Sequence, residues 1–426
     1  MDRRATAVVV AVAVLTGTIG AFAVGPTPDG RPVVDDTDFP TRLHAAGIDG
    51  SNVSVGVIDA TGYDTDRIAA RVVATATFET PTGPEPVSRD DHGTATALTV
   101  SRIAPGANLY LATVDSPAAF VSAVSWLRER DVDVIVAPVT FRGRAGTGRS
   151  PVARAAARAV EAGVVVVAPT GNHAGGHWEG PYAPVRNGTL GFETGTRNWL
   201  VDTDAGDRLR VWLSWDRAHA DRNFTVELYR ADGAGGVLIA RSHPVPGDAV
   251  PNERLTAELG PGRYFLTIRG PANPGRARLE LTSPTHRFRH ELRNGTVRPP
   301  ATARGVIGVG GIDPRDGRVE PFSARGPTRD GRRGVDLVAP DRLAVPATDG
   351  PFVGTSAAAA YVAGVAALVL DAAPDATPRA VRRYLTETAS DAGPTGVDPI
   401  TGHGQIDPVA AVAAARSRDG STQTAS

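Results

Sequence analysis

Four polar residues of the kinds that cooperate in acyl transfer are spread along this chain: Asp59, His92, Asn172 and Ser356. Ser356 follows a Gly-Thr pair and precedes an apolar, alanine-rich run, which predicts that it lies at the start of a helix. A serine there is close to the positive end of the helix dipole and to backbone N–H groups without partners in the helix. An oxyanion formed at this point would be stabilised. The same pattern is also that of an ordinary N-cap serine, which is the commoner case.

The other three residues supply what a serine nucleophile needs. A hydroxyl attacks a carbonyl only when a base removes its proton, and imidazole does this near neutral pH and then returns the proton to the leaving group. A carboxylate on the far ring nitrogen fixes the tautomer, and an amide N–H can hold the oxyanion. Taken singly, Asp59 could instead cap a helix or pair with an arginine, His92 could simply start a helix, and Asn172 could occupy a turn.

The elements around these residues predict an α/β fold. Apolar runs typical of buried parallel strands occupy residues 53–59, 108–114, 132–139 and 164–167. Helices begin at Ser116 and Ser150 between them, so strands and helices alternate along a parallel sheet. Ligands bind beyond the carboxyl ends of such strands. Asp59 and Asn172 follow strands there, and His92 and Ser356 start helices on the same side.

A different pattern interrupts this alternation from about residue 195. Short runs of alternating polarity, separated by Gly, Pro, Asp and Asn, occupy residues 209–215, 224–229, 237–239, 255–259, 264–268 and 277–281. They predict an antiparallel β-sandwich or jelly roll. Strands at 306–311 and 335–340 and helices after Ser356 and Thr377 resume the first pattern. The β unit is therefore predicted to be an insertion within one α/β domain.

Composition narrows the kinds of function that remain. The 426 residues are 41% hydrophobic and 21% charged, which excludes global disorder. The absence of cysteine excludes disulfides and thiolate metal sites. A formal net charge of −1 gives no indication of a nucleic-acid partner.

The amino-terminal segment predicts export. Residues 5–24 carry no charge and follow two arginines, which is the pattern of a signal peptide, with a small-residue cleavage site at residues 21–23. The run is long for a signal peptide and just long enough to span a membrane. Cleavage and retention as a membrane anchor both remain open.

The sequence around the four residues resembles the subtilisin-like (subtilase) serine proteases. The matching motifs are His92-Gly93-Thr94, Gly171-Asn172, residues 322–328, residues 336–340, Gly354-Thr355-Ser356, residues 362–364 and residues 402–407. The resemblance covers about residues 39–195 and 297–416. It implies a catalytic Asp59, His92 and Ser356, and an oxyanion hole formed by Asn172 and the Ser356 N–H. It also implies substrate-binding residues Pro138, Val139 and Thr140.

Several positions depart from the family pattern. The turn after the first strand, residues 59–62, is one residue longer than usual. Ala357 stands where the family has Met, and Ala360-Tyr361 stands where it usually has Pro-His. Pro138 stands in the substrate-binding strand and lacks a backbone donor. The family's inhibitory pro-domain has no counterpart between residue 24 and the first strand.

The residue patterns and the resemblance together predict the following domains: a signal peptide or membrane anchor at 1–24, a linker at 25–38, catalytic-domain parts at 39–195 and 291–416, an inserted β-sandwich at 196–290, and a disordered tail at 417–426. The expected function is that of an exported, cell-surface or extracellular serine endopeptidase acting on proteins or peptides. It needs no cofactor, no metal ligand is assigned, and structural calcium and the oligomeric state are left open. The alternative is an inactive pseudoprotease whose β-sandwich binds protein, glycan or the cell surface.

Overall fold

The computed structural model describes residues 19–20, 38–68, 71–79, 91–141, 147–245, 251–345 and 350–423. The predicted signal or anchor segment, apart from residues 19–20, and the predicted linker up to residue 37 lie outside the described residues. The helices are α1 (Asp38–Ala45), α2 (His92–Ile103), α3 (Pro117–Arg128), α4 (Pro151–Glu161), α5 (Thr355–Ala372), α6 (Pro378–Glu387) and α7 (Pro408–Gln423).

The strands divide into those before the long β region, those within it and those after it. The first group is β1 (Ile19–Gly20), β2 (Ser54–Asp59), β3 (Val72–Phe78), β4 (Asn108–Val114), β5 (Val134–Val136), β6 (Thr140–Phe141) and β7 (Val165–Pro169). The second is β8 (His177–Pro181), β9 (Pro184–Arg186), β10 (Thr189–Leu190), β11 (Asn198–Val201), β12 (Arg208–Trp215), β13 (Thr225–Asp232), β14 (Gly235–Arg241), β15 (His243–Pro244), β16 (Asn252–Glu258), β17 (Tyr264–Arg269), β18 (Arg278–Thr282) and β19 (Arg287–Phe288). The third is β20 (Ile307–Ile312), β21 (Leu337–Pro340), β22 (Arg342–Leu343) and β23 (Phe352–Val353).

A parallel sheet with helices on both faces forms the α/β part of the chain. Its strand order is β21-β20-β7-β5-β2-β4-β3, and the strands from both sides of the long β region contribute to it. Successive residues of a strand point to opposite faces. In β5, Val134 and Val136 belong to the hydrophobic cluster that includes residues of α1, α2, α5, α6 and α7, whereas Ile135 belongs to the cluster that includes residues of α3 and α4. The predicted subtilisin-like parallel sheet is confirmed.

Helix α5 crosses the core of this part. Within the described residues it alone is long and apolar enough to span a membrane, but 89% of its apolar window is buried inside the protein. It is a core helix, and its small residues allow close approach: a Cβ at Gly364 would lie 2.7 Å from Ile103 of α2. Helices α3 and α4 begin as the sequence predicts, because Ser116 and Ser150 cap them by accepting the N–H groups of Ala119 and Ala153.

Two antiparallel sheets occupy the middle of the chain. One has the order β14-β13-β17-β10-β9, with β11 pairing β17 and β19, and the other has the order β15-β16-β12-β18-β8. Alternate residues of both sheets, such as Leu213, Leu281, Leu228 and Ile268, share one hydrophobic cluster. The two sheets therefore pack face to face. The earliest strand of these two sheets is β8, which lies before the boundary predicted at residue 196.

Some elements differ from the sequence expectations. The predicted strand 132–139 ends as β5 at Val136, and a proline at 138 lacks the N–H that a continuing ladder needs. Strand β3 was not predicted, because it is an edge strand of half-buried Val, Ala and Thr without a continuous apolar run. The predicted disordered tail at 417–426 is corrected in part: α7 continues to Gln423 from an alanine-rich start that favours helix.

Candidate active site

Asp59 and His92 form a buried hydrogen-bonded pair. Asp59 ends β2 and His92 begins α2, and both side chains are inaccessible to solvent. The Nδ1–H of His92 donates to Asp59 Oδ2 at 2.7 Å. This contact fixes the imidazole with its Nε2 directed away from Asp59, which is the orientation required of a general base.

The lengthened turn after β2 supplies a residue that sequence reasoning missed. Thr61 donates through both its N–H and its Oγ1–H to Asp59 Oδ1, each at 2.9 Å. Its Oγ1 also accepts the N–H of Gly93 at 2.9 Å. One threonine therefore ties the carboxylate to the first turn of the helix that carries His92. The extra residue in the turn after Asp59 could have indicated a role for Thr61, since it moves the hydroxyl one position further from Asp59.

Tyr63 lies beneath the same pair. Its hydroxyl donates to the carbonyl oxygen of Val57 at 2.8 Å. Burial and the nearby charge of Asp59 raise the pKa of Tyr63 well above its usual value, so the phenol stays neutral. The floor of the site therefore adds no second negative charge to that of Asp59.

Ser356 is the second residue of α5 and does not cap it. The N-cap is Gly354, whose φ of 113° lies in the left-handed region that favours glycine. The Ser356 hydroxyl donates instead to the carbonyl oxygen of Pro138 at 3.2 Å. The predicted nucleophile thus lies directly against the segment predicted to bind substrate.

The loop before Ser356 also reaches His92. The ring of Phe352 in β23 meets the imidazole of His92 edge to face, with 5.2 Å between ring centroids. Helices α2 and α5 pack against each other behind this contact, at Ile103 and Gly364. Residues that are distant in sequence, Asp59, His92 and Ser356, therefore lie in one region at the carboxyl edge of the parallel sheet.

Asn172 is anchored on the residue before Ser356. Its Oδ1 accepts the N–H of Thr355 at 2.9 Å and the Thr355 hydroxyl at 2.5 Å. Its Nδ2 lies so close to Gly354 that a Cβ at this position would clash with it. The Oδ1 end of the amide therefore lies at Thr355 and the N–H₂ end at Gly354, so both ends face the start of α5. The side chain therefore does more than stabilise a local turn.

Pro138 and Val139 lie between β5 and β6, Thr140 begins β6, and Val139 is fully buried. Thr140 and Phe141 form β6, which pairs antiparallel with Gly20 and Ile19 of β1. Pro138 contributes a carbonyl oxygen beside Ser356 rather than an N–H.

A buried cluster of charged side chains lies between the antiparallel sheets and the α/β part. His177, Glu179 and Glu280 offer ligand-type atoms within 4.8 Å of one another. However, Glu280 bonds to Arg298, and Glu179 bonds to Arg329 at 2.6 Å. The arginines already neutralise these carboxylates, so the cluster is a salt-bridge network whose charge disfavours a metal cation. Burial opposes ionisation, but Arg298 and the other partners hold the pKa of Glu280 well below its usual range.

A second group of buried acids lies next to the residues that immediately precede Ser356. The backbone oxygen of Asp341 accepts the N–H of Gly354 at 2.8 Å. Neither of its carboxylate oxygens has a hydrogen-bond partner in the described part of the chain. Burial, with repulsion from Glu320 and Asp313 outweighing the attraction of Arg342, raises the pKa of Asp341 to about 8. Sequence reasoning missed this residue, because its surroundings come from separate strands.

Comparison with known proteins agrees with the fold and the motifs. Residues 289–404 match the model of the Subtilase family. The chain is 38% identical to Mycosin-1 of Mycobacterium tuberculosis over 130 residues, which is 27% of each protein. It is 51% identical to Mycosin-1 of Mycolicibacterium smegmatis over 71 residues, which is 16% of each. The chain thus matches these curated relatives over about a quarter of their length or less.

A solved structure extends the likeness to most of the chain. The CspB protease of Clostridium perfringens superposes with a TM-score of 0.59 at 17% identity, covering 88% of this chain and 97% of that one. At this identity the likeness concerns the fold alone. The molecule is thus an α/β protein of the subtilisin-like class, with a serine at the start of a core helix. By the match over residues 289–404 and by its fold, the chain is similar to the subtilase family of serine proteases.

Proposed function

We propose that this chain is an exported serine endopeptidase that cleaves peptide bonds through an acyl-enzyme. The observation that carries the proposal is the buried Asp59–His92 hydrogen bond of 2.7 Å, next to a serine that does not serve as a helix cap. A structural role for Ser356 alone would not require a paired, solvent-excluded imidazole beside its loop.

Ser356 Oγ attacks the peptide carbonyl while His92 Nε2 takes the hydroxyl proton. Asp59 keeps the proton of His92 on Nδ1 and stabilises the imidazolium. His92 then protonates the leaving amine, the C–N bond breaks, and water hydrolyses the ester on Ser356 by the same route in reverse.

The oxyanion of each tetrahedral intermediate lies between Asn172 Nδ2 and the N–H of Ser356. Both donors are set before substrate arrives, because Thr355 holds Asn172 Oδ1 and the Ser356 N–H belongs to the first turn of α5. Donors fixed in advance stabilise developing charge without reorganisation.

Substrate binds as an extended strand beside Pro138, Val139 and Thr140. The hydrogen bond of 3.2 Å from the Ser356 hydroxyl to the carbonyl oxygen of Pro138 supports this assignment, because it places this segment beside the proposed nucleophile, where main-chain hydrogen bonds can bind an extended peptide. Export is supported by the uncharged apolar residues 5–24 behind two arginines.

The proposal is tested by the hydrolysis of an unstructured protein substrate. Ser356→Ala should abolish cleavage, whereas Ser125→Ala, which changes an exposed serine on α3, should leave it unchanged. Cleavage that survives Ser356→Ala would refute the assignment. A folded, unmodified chain that cleaves no substrate would favour the pseudoprotease alternative.

A further inference from the structure

Arg298 and Pro299 lie between the two segments that flank Ser356. The N–H of Arg298 donates to the carbonyl oxygen of Thr170 at 3.2 Å, two residues before Asn172. The N–H of Phe141 donates to the carbonyl oxygen of Pro299 at 3.1 Å, just after the segment 138–140. Residue 298 therefore spans the gap between the oxyanion segment and the substrate-binding segment.

The side chain of Arg298 is buried to an extent unusual for arginine. It is 1% exposed and heads the largest fully buried side chains of the described residues. Arginine is almost never buried this fully unless it is paired. Its Nη2 donates to Glu280 Oε1, but its Nε and Nη1 have no hydrogen-bond partner among the residues that the structure describes. Because a buried charged donor without a hydrogen-bond partner is costly, these two nitrogens are suited to an acceptor on a bound molecule.

Two neighbouring threonine hydroxyls are also buried without a hydrogen-bond partner among the described residues. Thr140 precedes the residue that bonds to Pro299, and Thr170 bonds to Arg298 through its backbone. The Oγ1 atoms of both threonines are buried and lack a partner in the described ranges. A guanidinium and two hydroxyls on adjoining segments therefore offer donors that a carboxylate could accept.

Glu280 cannot satisfy these remaining donors. Its Oε1 also contacts His177 Nε2 at 3.2 Å, and its Oε2 lies 3.7 Å from Arg329. The carboxylate is thus shared among partners and holds Arg298 from the side of the antiparallel sheets. Through this ion pair, the antiparallel sheets keep the charged side chain of Arg298 buried beside the proposed substrate-binding segment.

We propose that Arg298 selects substrates that carry a carboxylate side chain, aspartate or glutamate, on the residue whose carbonyl Ser356 attacks. The inference rests on the proposed protease function. That carbonyl must lie between Ser356 and Asn172, so the side chain of the same residue enters between segments 138–140 and 170–172. A carboxylate there accepts from Arg298 and the two threonines. An apolar or amide side chain would leave the buried charge of Arg298 without a second acceptor. Sites built from buried polar groups strongly reject substrates that lack the matching group.

The test uses the full chain and fluorogenic peptides that differ only in that residue: Glu, Asp, Gln, Ala or Leu. We expect kcat/KM for the better acidic peptide to exceed that for its amide analogue by about 10- to 100-fold, as for a buried charge-assisted hydrogen bond. Arg298→Met/Glu280→Gln removes both charges of the pair together and should bring this ratio close to one. Its thermal unfolding midpoint, measured in parallel, shows that the double variant is folded. Arg318→Gln is the matched control, because the Arg318 side chain is 86% exposed on a distant turn.

The outcomes separate this inference from the function on which it rests. Equal cleavage of acidic and amide peptides, or a preference for Leu, overturns the acid selectivity but leaves the protease assignment standing. A folded double variant that keeps the acidic preference overturns the role of Arg298. If no peptide is cleaved and Ser356 is not modified by a serine-directed phosphonate, the proposed function fails and this inference fails with it.

Discussion

At the scale of single residues, the carboxylate of Asp59 accepts hydrogen bonds from His92 and from two donors of Thr61. The extra residue in the turn 59–62 separates this chain from the usual family pattern, yet it does not disturb the pair. Thr61 instead links the carboxylate to the backbone of Gly93. We therefore expect Thr61 to act as a positioning residue, through its effect on Asp59 and on the start of α2.

Thr61→Val removes the hydroxyl while keeping the shape and the backbone N–H. We expect kcat/KM to fall about 10-fold, in line with the loss of a hydrogen bond to a charged group. We also expect the acid limb of the pH profile to move to higher pH, because a carboxylate with fewer donors holds the protonated imidazole more strongly. Steady-state kinetics from about pH 5 to about pH 9, an interval that covers the titration of histidine, measures both effects.

Thr61→Ser is the control for this prediction, since it restores the hydroxyl and should recover most of the activity and the original pH profile. A Thr61→Val variant with lower activity but an unmoved acid limb would indicate a purely structural role for this threonine.

Asn172 carries the second prediction at this scale. Asn172→Ala should lower kcat by about 10²–10³ with little change in KM, the range known for the amide donor of subtilisin. The physical reason is that an oxyanion donor acts only in the transition state. A variant that raises KM and leaves kcat intact would instead assign Asn172 to ground-state binding.

At the scale of elements, the carboxyl ends of β20 and β21 bring acids together behind the nucleophile loop. Asp341 follows β21, Asp313 follows β20, and Glu320 lies on the turn after Asp313. Arg342, the next residue after Asp341, is also buried and partly offsets their repulsion. Gly354, which caps α5, is therefore hydrogen-bonded to a residue whose charged carboxylate is unfavourable in the folded chain.

Asp341→Asn should stabilise the fold at high pH and not at low pH. The folded-state pKa of Asp341 is raised to about 8 from 3.8, so the unfolded chain loses this proton first. Its contribution to stability is complete below the unfolded value and is lost as the pH rises through the folded value. Asparagine resembles the neutral acid, so the variant should unfold at a higher temperature than the parent chain at a pH of about 9 and at nearly the same temperature near pH 4. An equal shift at both pH values would contradict this account.

At the scale of the whole molecule, the sequence predicts the parallel sheet and the four site residues but not the contacts that link the parts. Continuous apolar runs such as residues 53–59 and 164–167 are predictable, because strands buried on both faces need them. Thr61, Arg298 and Asp341 were not predictable, because their partners come from segments far apart in the chain. The ion pair of Arg298 with Glu280 joins the α/β part to the antiparallel sheets in this way.

The central claim is that Ser356 is a nucleophile activated by His92. The most direct measurement is covalent labelling of the folded full-length chain by a fluorophosphonate probe, followed by intact-mass analysis and peptide mapping. The account predicts one probe per chain, attached to Ser356, with labelling lost in Ser356→Ala and strongly slowed in His92→Ala. A folded chain that takes up no probe at Ser356, or a Ser356→Ala variant labelled as readily as the parent chain, would contradict it.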